Sequence, residues 1–276
     1  MQVSVLALFA RNDDTRQGFR WAATRAGLTV LDLTADPSSV TAAAGPGVAV
    51  RAPGGLVASA MAAGATVVLA GPTPQWFVGL DPAVTGRQWQ LCTPAQARIL
   101  LADAPTFVKL ADSKHAAFPA TRFTSVGALD RTLAAVTDSE HLELLATTGW
   151  LAIDSEYRLF TVTREVVAVS PYRVQDDPWS PLLRTHRASF HDEAAQWAET
   201  FLASLPEGRV PPSAVLDVAR LADGRFVLLE VNQCWGAGLY GCDPVGALRA
   251  VLAANIPGES GGDDRWRWRP DPALRY

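Results

Sequence analysis

The chain has 276 residues, a formal net charge of -4, 49% hydrophobic residues and 19% charged residues. That length can bury one large core or two to three smaller lobes, and that apolar fraction excludes a disordered chain. The mildly acidic balance gives no overall electrostatic footprint for a nucleic-acid partner.

The N-terminal apolar run, Val3 to Phe9, has no preceding basic segment and no small-residue cleavage site. It reads as a buried strand rather than a secretion signal. Thr15 to Ala26 is amphipathic, Gly27 stands where a helix ends, and Leu28 to Leu33 is apolar again, which opens a βαβ pattern. Val48 to Arg51 reads as a further short strand. No residue from Ala52 to Leu80 is charged. Gly54, Gly55, Gly64, Gly71, Pro72 and Pro74 interrupt that stretch, so the expectation is a buried helix, Leu56 to Ala63, and a buried strand, Thr66 to Ala70, with no membrane span. Residues 1–95 are therefore expected to form an open-sheet α/β lobe, with Arg51, Trp76 and Trp89 as candidates for an acceptor site. Cys92, Cys234 and Cys242 form no Cys-x-x-Cys pair, and their odd number points to reduced thiols in the cytoplasm. Arg is far commoner than Lys and Ala is abundant, as in a GC-rich bacterial coding sequence.

Thr93 caps an expected helix with Pro94 at its first position, and Thr106 to Leu110 reads as a strand. Leu129 to Val136 and Leu142 to Ala146 continue an α+β pattern. Tyr157 to Thr163 and Val166 to Ser170 form an expected hairpin, and Phe190 to Leu205 a helix with Asp192 and Glu193 in its first turns. A second hairpin joins Ala214 to Ala219 with Arg225 to Val231 through Ala222-Asp223-Gly224. From Gly258 the chain turns Gly-rich and charged, and residues 258–276 read as a peripheral tail whose Trp-Arg alternation at 265–269 is packed or frayed rather than nucleic-acid binding.

The sharpest chemical feature lies in that second hairpin. Glu230 and Asn232 share a strand face, and pairing can set Asp217 beside them. Three hard oxygen donors suit magnesium, which keeps several waters and binds through one or two carboxylates plus nucleotide phosphates. An Asp-hairpin-Glu is also what a solvated two-faced hairpin contains, but Val215 to Asn232 is too apolar for that.

The segment Val215-Leu-Asp-Val-Ala-Arg-Leu-Ala-Asp-Gly-Arg-Phe-Val-Leu-Leu-Glu-Val-Asn232 resembles the metal-binding end of ATP-grasp enzymes, and Gly236-Ala-Gly-Leu-Tyr-Gly-Cys-Asp-Pro244 resembles the arginine-and-two-lysines clade of that superfamily. The resemblance runs from Phe107 to Pro244, about half the chain. It implies an α/β (α+β) fold in which an N-terminal open-sheet lobe precedes a two-lobed ATP-grasp module, here residues 96–257, clasping ATP. Asp217, Glu230 and Asn232 then hold magnesium. Lys109 and Lys114, in Phe107-Val-Lys-Leu-Ala-Asp-Ser-Lys114, meet the nucleotide phosphates. Glu156 belongs to an acidic-x-Arg element whose Arg158 meets the γ-phosphate, and Arg173, in Pro171-Tyr-Arg173, holds a substrate carboxylate. Structural ion pairs with Glu156 or Glu165 are the competing roles for both arginines. Leu144 and Ala146 fall where the adenine-contacting strand stands in the family order. The Gly-rich lid of many relatives is missing after Lys109, where His115 to Pro119 stands instead.

The activity this implies joins a small-molecule or peptide carboxylate to an amine through an acylphosphate. A small-molecule kinase and a non-catalytic nucleotide-binding protein are the alternatives. The chain lacks Gly-x-x-x-x-Gly-Lys-Ser/Thr, a Gly-x-Gly-x-x-Gly after its first strand, and a Gly-x-Ser-x-Gly elbow between an expected strand and helix. His186 and His191 lack the spacing of a helical zinc pair, and Cys234 and Cys242 read as buried thiols.

Overall fold

The computed structural model describes residues 3–112, 114–136, 138–174, 177, 190–256 and 264–270. His186, Ser113 and most of the C-terminal tail lie outside them. The chain divides into two compact units, residues 1–72 with 152–268, and residues 73–151 with 269–276.

The first unit begins with β1 (Val5–Leu8), α1 (Asp13–Arg25), β2 (Thr29–Asp32), α2 (Pro37–Ala43), β3 (Val48–Arg51) and α3 (Gly54–Ala62). The strands form a parallel sheet in the order β2-β1-β3. Asn12 caps α1 by accepting from Thr15 N–H at 3.0 Å, and Gly27 turns the chain with φ +75°. The expected strand at Thr66 to Ala70 is reduced to isolated bridges, Leu69 to Asn255 and Ala70 to Arg267. Among the described residues no strand runs alongside it long enough to build a ladder.

The same unit continues with the hairpin β8 (Ile153–Val162) and β9 (Glu165–Val174), an α-helix (His191–Ser204), the hairpin β10 (Ser213–Leu221) and β11 (Phe226–Asn232), and a final α-helix (Pro244–Ala254). Here the strands make an antiparallel sheet in the order β11-β10-β8-β9. The His191–Ser204 helix packs on β9, β10 and β8 through Ala194, Ala198, Phe201 and Leu202. The Pro244–Ala254 helix packs on this sheet and on α1, capped by Asp243, which accepts from Gly246 N–H at 2.8 Å. A Cβ at Gly246 would stand 1.8 Å from the Val167 carbonyl oxygen, so only glycine permits this approach to β9. Asn255 accepts from Val50 N–H at 2.7 Å and donates to Val50 C=O at 3.2 Å, closing the outer edge of β3.

The tail is not peripheral where it is described. Trp266 and Trp268 are buried, and Trp268 meets Trp235 edge to face at 4.7 Å between ring centroids. Burying two indoles outweighs the polar character of Arg265, Arg267 and Arg269 around them, which stay exposed.

The second unit holds α4 (Pro74–Val78), α5 (Pro82–Thr85), β4 (Gln90–Cys92), α6 (Pro94–Asp103), β5 (Thr106–Leu110), β6 (Thr121–Phe123), α7 (Val126–Leu133) and β7 (Leu144–Thr147). The sheet order is β4-β7-β5-β6. Thr93 and Gln96 form a reciprocal capping box at the start of α6. Val108, Leu110, Leu144 and Ala146 pack with Ala97, Leu101, Leu129 and Leu133 of α6 and α7 in one core. Strand alternation sends Phe107 and Lys109 to the opposite face of β5.

Candidate active site

In the first unit the strand register lines up the expected acids. Asp217 on β10 pairs with Glu230 on β11 and with Arg158 on β8, and a bulge follows Asp217. Because alternate residues share a face, Glu156 and Asn232 join this row. Arg158 is 3% exposed. Its Nε donates to Asp217 Oδ1 at 2.9 Å, its Nη2 to Asp217 Oδ2 at 2.7 Å and its Nη1 to the Gly238 carbonyl at 3.1 Å. Asn232 Nδ2 donates to Asp217 Oδ2 at 3.0 Å, which turns its amide oxygen away from Asp217. Burial alone would lower the Arg158 guanidinium, but attraction and hydrogen bonds to Asp217 prevail and hold it above its ordinary value.

The structural partner of Arg158 is therefore Asp217, not Glu156 or Glu165. Glu165 instead pairs with Arg249 at 2.9 Å on the surface. Glu156 accepts from the Tyr172 hydroxyl at 2.5 Å and from Arg173 Nη1 at 3.3 Å. Its carboxyl is pushed up chiefly by burial, against the lowering influence of Tyr172 and Arg173 and with the negative charges of Asp217 and Glu230 adding to the rise. The Tyr172 hydroxyl is raised well above its usual range, again mainly by burial.

Tyr172 and Tyr240 were invisible as site residues in the sequence, since tyrosines beside a proline or glycines carry no spacing signal. Arg158 stands 4.0 Å from the Tyr240 ring centroid and 5.7 Å from that of Tyr172. Arg51, 2% exposed, donates to the Phe9 carbonyl at 2.7 Å and the Ala237 carbonyl at 2.6 Å, and burial lowers its guanidinium to about 10. It pins the backbone on either side of it.

In the second unit Lys109 is half-buried, its ammonium 5.9 Å from the Phe77 ring and 5.8 Å from that of Trp89. Arg87 lies 4.5 Å from the Trp89 ring, and its guanidinium is lowered to about 10 by burial. Trp76 and Trp89 are both buried. Lys114 is exposed. Leu144 and Ala146 are fully buried in the core, and β7 is paired on both edges, with β4 and β5. Their side chains pack in the core of this unit with those of α6 and α7.

Among the described residues no group of three or more His, Cys, Asp or Glu side chains stands at metal-binding spacing. Asp217 and Glu230, paired in register, are nevertheless oxygen donors of the kind taken by a hard cation that completes its shell with water and phosphate oxygens rather than with a protein cage. No described helix is long and apolar enough to cross a membrane.

Solved structures place this architecture in the ATP-grasp fold. The chain is similar to a RimK domain ATP-grasp protein from Sphaerobacter thermophilus (15% identity, TM-score 0.52, 91% of this chain and 96% of that one). It is also similar to N5-carboxyaminoimidazole synthase from Aspergillus clavatus, solved with ADP and an aminoimidazole ribonucleotide (12%, 0.54, 92% and 78%). D-cycloserine synthetase is a third (15%, 0.51, 90% and 98%). At these identities the likeness is one of fold. The model of the ATP-grasp domain of the arginine-and-two-lysines clade, family 2, matches residues 85–250, and the chain belongs to that family. No curated protein matches the sequence.

Proposed function

We propose that this protein is an ATP- and magnesium-dependent ligase that joins a carboxylate to an amine or similar nucleophile through an acylphosphate. The observation that carries this reading is the row of Glu156, Arg158, Asp217, Glu230 and Asn232 on one face of an antiparallel sheet. Arg158 offsets the charge of Asp217, but Glu156 and Glu230 add further acid to the same partly buried face, and a bound cation would offset their repulsion. The family match and the synthetases among the structural neighbours support the same class of reaction.

Asp217, Glu230 and Asn232 would hold the magnesium, which when bound neutralises charge on the nucleotide phosphates. Three of the five N–H groups of Arg158 are used by Asp217 and Gly238, which leaves two for an oxyanion whose charge develops during phosphoryl transfer. Arg173, half-buried and in reach of Glu156, is assigned to the substrate carboxylate, and Lys109 and Lys114 to the phosphates as point charges. The protein supplies positioning and electrostatics rather than a covalent nucleophile. A working assignment of residues 1–95, 96–257 and 258–276 to the N-terminal lobe, the nucleotide module and the tail goes with this reading.

Calorimetric titration of ATP with magnesium into wild type and Glu230→Ala, beside ADP release on pooled amino acids and small carboxylates, tests it. Magnesium-dependent binding that Glu230→Ala abolishes is expected, with ADP formed only when both a carboxylate and an amine are supplied. A stable phosphorylated product without an amine would make the protein a kinase. No binding to wild type would overturn the reading.

A further inference from the structure

Tyr240 occupies a backbone conformation that its side chain disfavours. Its φ is +50°, and it is followed by Gly241 at φ +84°. A non-glycine residue in the left-handed region persists only where its surroundings over-determine it, and such strain gathers at functional positions. Here both sides of the loop are pinned. The Ala237 carbonyl is taken by Arg51, the Gly238 carbonyl by Arg158, Leu239 N–H by Thr15 Oγ1 at 3.3 Å, and Cys242 N–H by the Leu239 carbonyl at 3.0 Å.

This geometry lays the Tyr240 ring beside Arg158, 4.0 Å from the guanidinium carbon, while 41% of the residue stays exposed. Exposure at that level means the conformation is not enforced by burial of the ring. Tyr172 flanks it at 5.3 Å between ring centroids and holds Glu156. Gly238 makes room, because a Cβ there would stand 3.3 Å from Tyr240 Cε1 and 3.5 Å from Cδ1.

We propose that Tyr240 is a positioning residue for Arg158: its ring fixes the plane of the guanidinium, so that the fork on Asp217 is kept and the two remaining N–H groups meet an incoming oxyanion at a set angle. This deepens the reading above and rests on it where the oxyanion is a nucleotide phosphate. A side chain that hydrogen-bonds through three N–H groups can still rock about its Asp217 edge, and a flat ring against it removes that freedom.

The test uses full-length Tyr240→Gly and Tyr240→Phe, with Gly238→Ala as an independent way to displace the ring. Glycine relieves the left-handed backbone, so thermal stability of Tyr240→Gly should equal or exceed wild type while its dissociation constant for MgATP rises about tenfold, the scale of one desolvated ring-cation contact. Tyr240→Phe should restore affinity to within about threefold, since it keeps the ring. Wild-type affinity in Tyr240→Gly overturns the proposal, as does equal loss in the Phe and Gly variants. An assigned Arg158 Nε–H NMR signal gives a readout independent of nucleotide: the Tyr240 share of its ring-current shift should be lost in Tyr240→Gly, leaving that of Tyr172, change in Gly238→Ala and persist in Tyr240→Phe. If wild type does not bind MgATP the ligase reading fails, and an unchanged Arg158 signal in Tyr240→Gly would still overturn this inference on its own.

Discussion

Two four-stranded antiparallel sheets, long-stranded in the first unit and short-stranded in the second, use their polar residues in opposite ways. The sheet of the first unit buries an ionic network, with Arg158 and Asp217 locked in a two-bond fork and Asn232 added to it. The second unit keeps Lys109 on β5, and Arg87 in the loop before β4, against the rings of Trp89, Phe77 and Phe107. The difference teaches where each unit can tolerate change. A buried ion pair leaves a stranded charge when one partner goes, whereas a cation beside an aromatic ring leaves only an apolar surface.

Three substitutions break or sharpen that contrast. The largest effect is expected from Asp217→Ala, which strands Arg158 in a site 3% exposed and should destabilise the protein by about 3–5 kcal/mol in urea denaturation. A loss near zero would mean that Arg158 finds another partner or leaves the sheet. Glu156→Gln should act through pH. The folded carboxyl is raised, chiefly by burial, so its stabilising contribution is present below the ordinary carboxylate value and lost as pH rises through the raised one. The Gln variant should therefore lack that loss, and melting temperatures measured from acid to neutral pH should fall less on the alkaline side than those of wild type. Parallel profiles would remove Glu156 from the titrating network. Lys109→Met should produce the smallest change in stability, under about 1 kcal/mol, because Met packs on the same rings. On the proposed function it should nonetheless weaken MgATP binding, which calorimetry would reveal. Unchanged affinity would leave Lys109 a structural cation.

The acids of the late hairpin were legible because strand alternation and an Asp-Gly turn are local signals, and the observed register pairs Asp217 with Glu230 directly. The same locality explains why the Thr93 cap and the strand ending at Arg51 were placed correctly. It also explains the misses. That β7 is an inner strand paired on both sides, with Leu144 and Ala146 in the core, is something no sequence pattern over four residues announces. Trp266 and Trp268 looked peripheral among arginines and glycines, yet the backbone N–H of Trp268 donates to Leu69 C=O at 2.8 Å and its ring packs on Trp235.

What the sequence determined by itself was most of the elements that carry the site, the family resemblance and the acids of the late hairpin, since these rest on periodicity, spacing and motif order along the chain. What only the tertiary structure decided was partnership: Arg158 with Asp217 across 59 positions, Arg51 with Ala237 across 186, and Tyr240 laid over Arg158. Such pairings join residues distant in the chain through the packing of the β8, β10 and β11 sheet against the loop after β11. Their energies depend on burial, which no local pattern encodes.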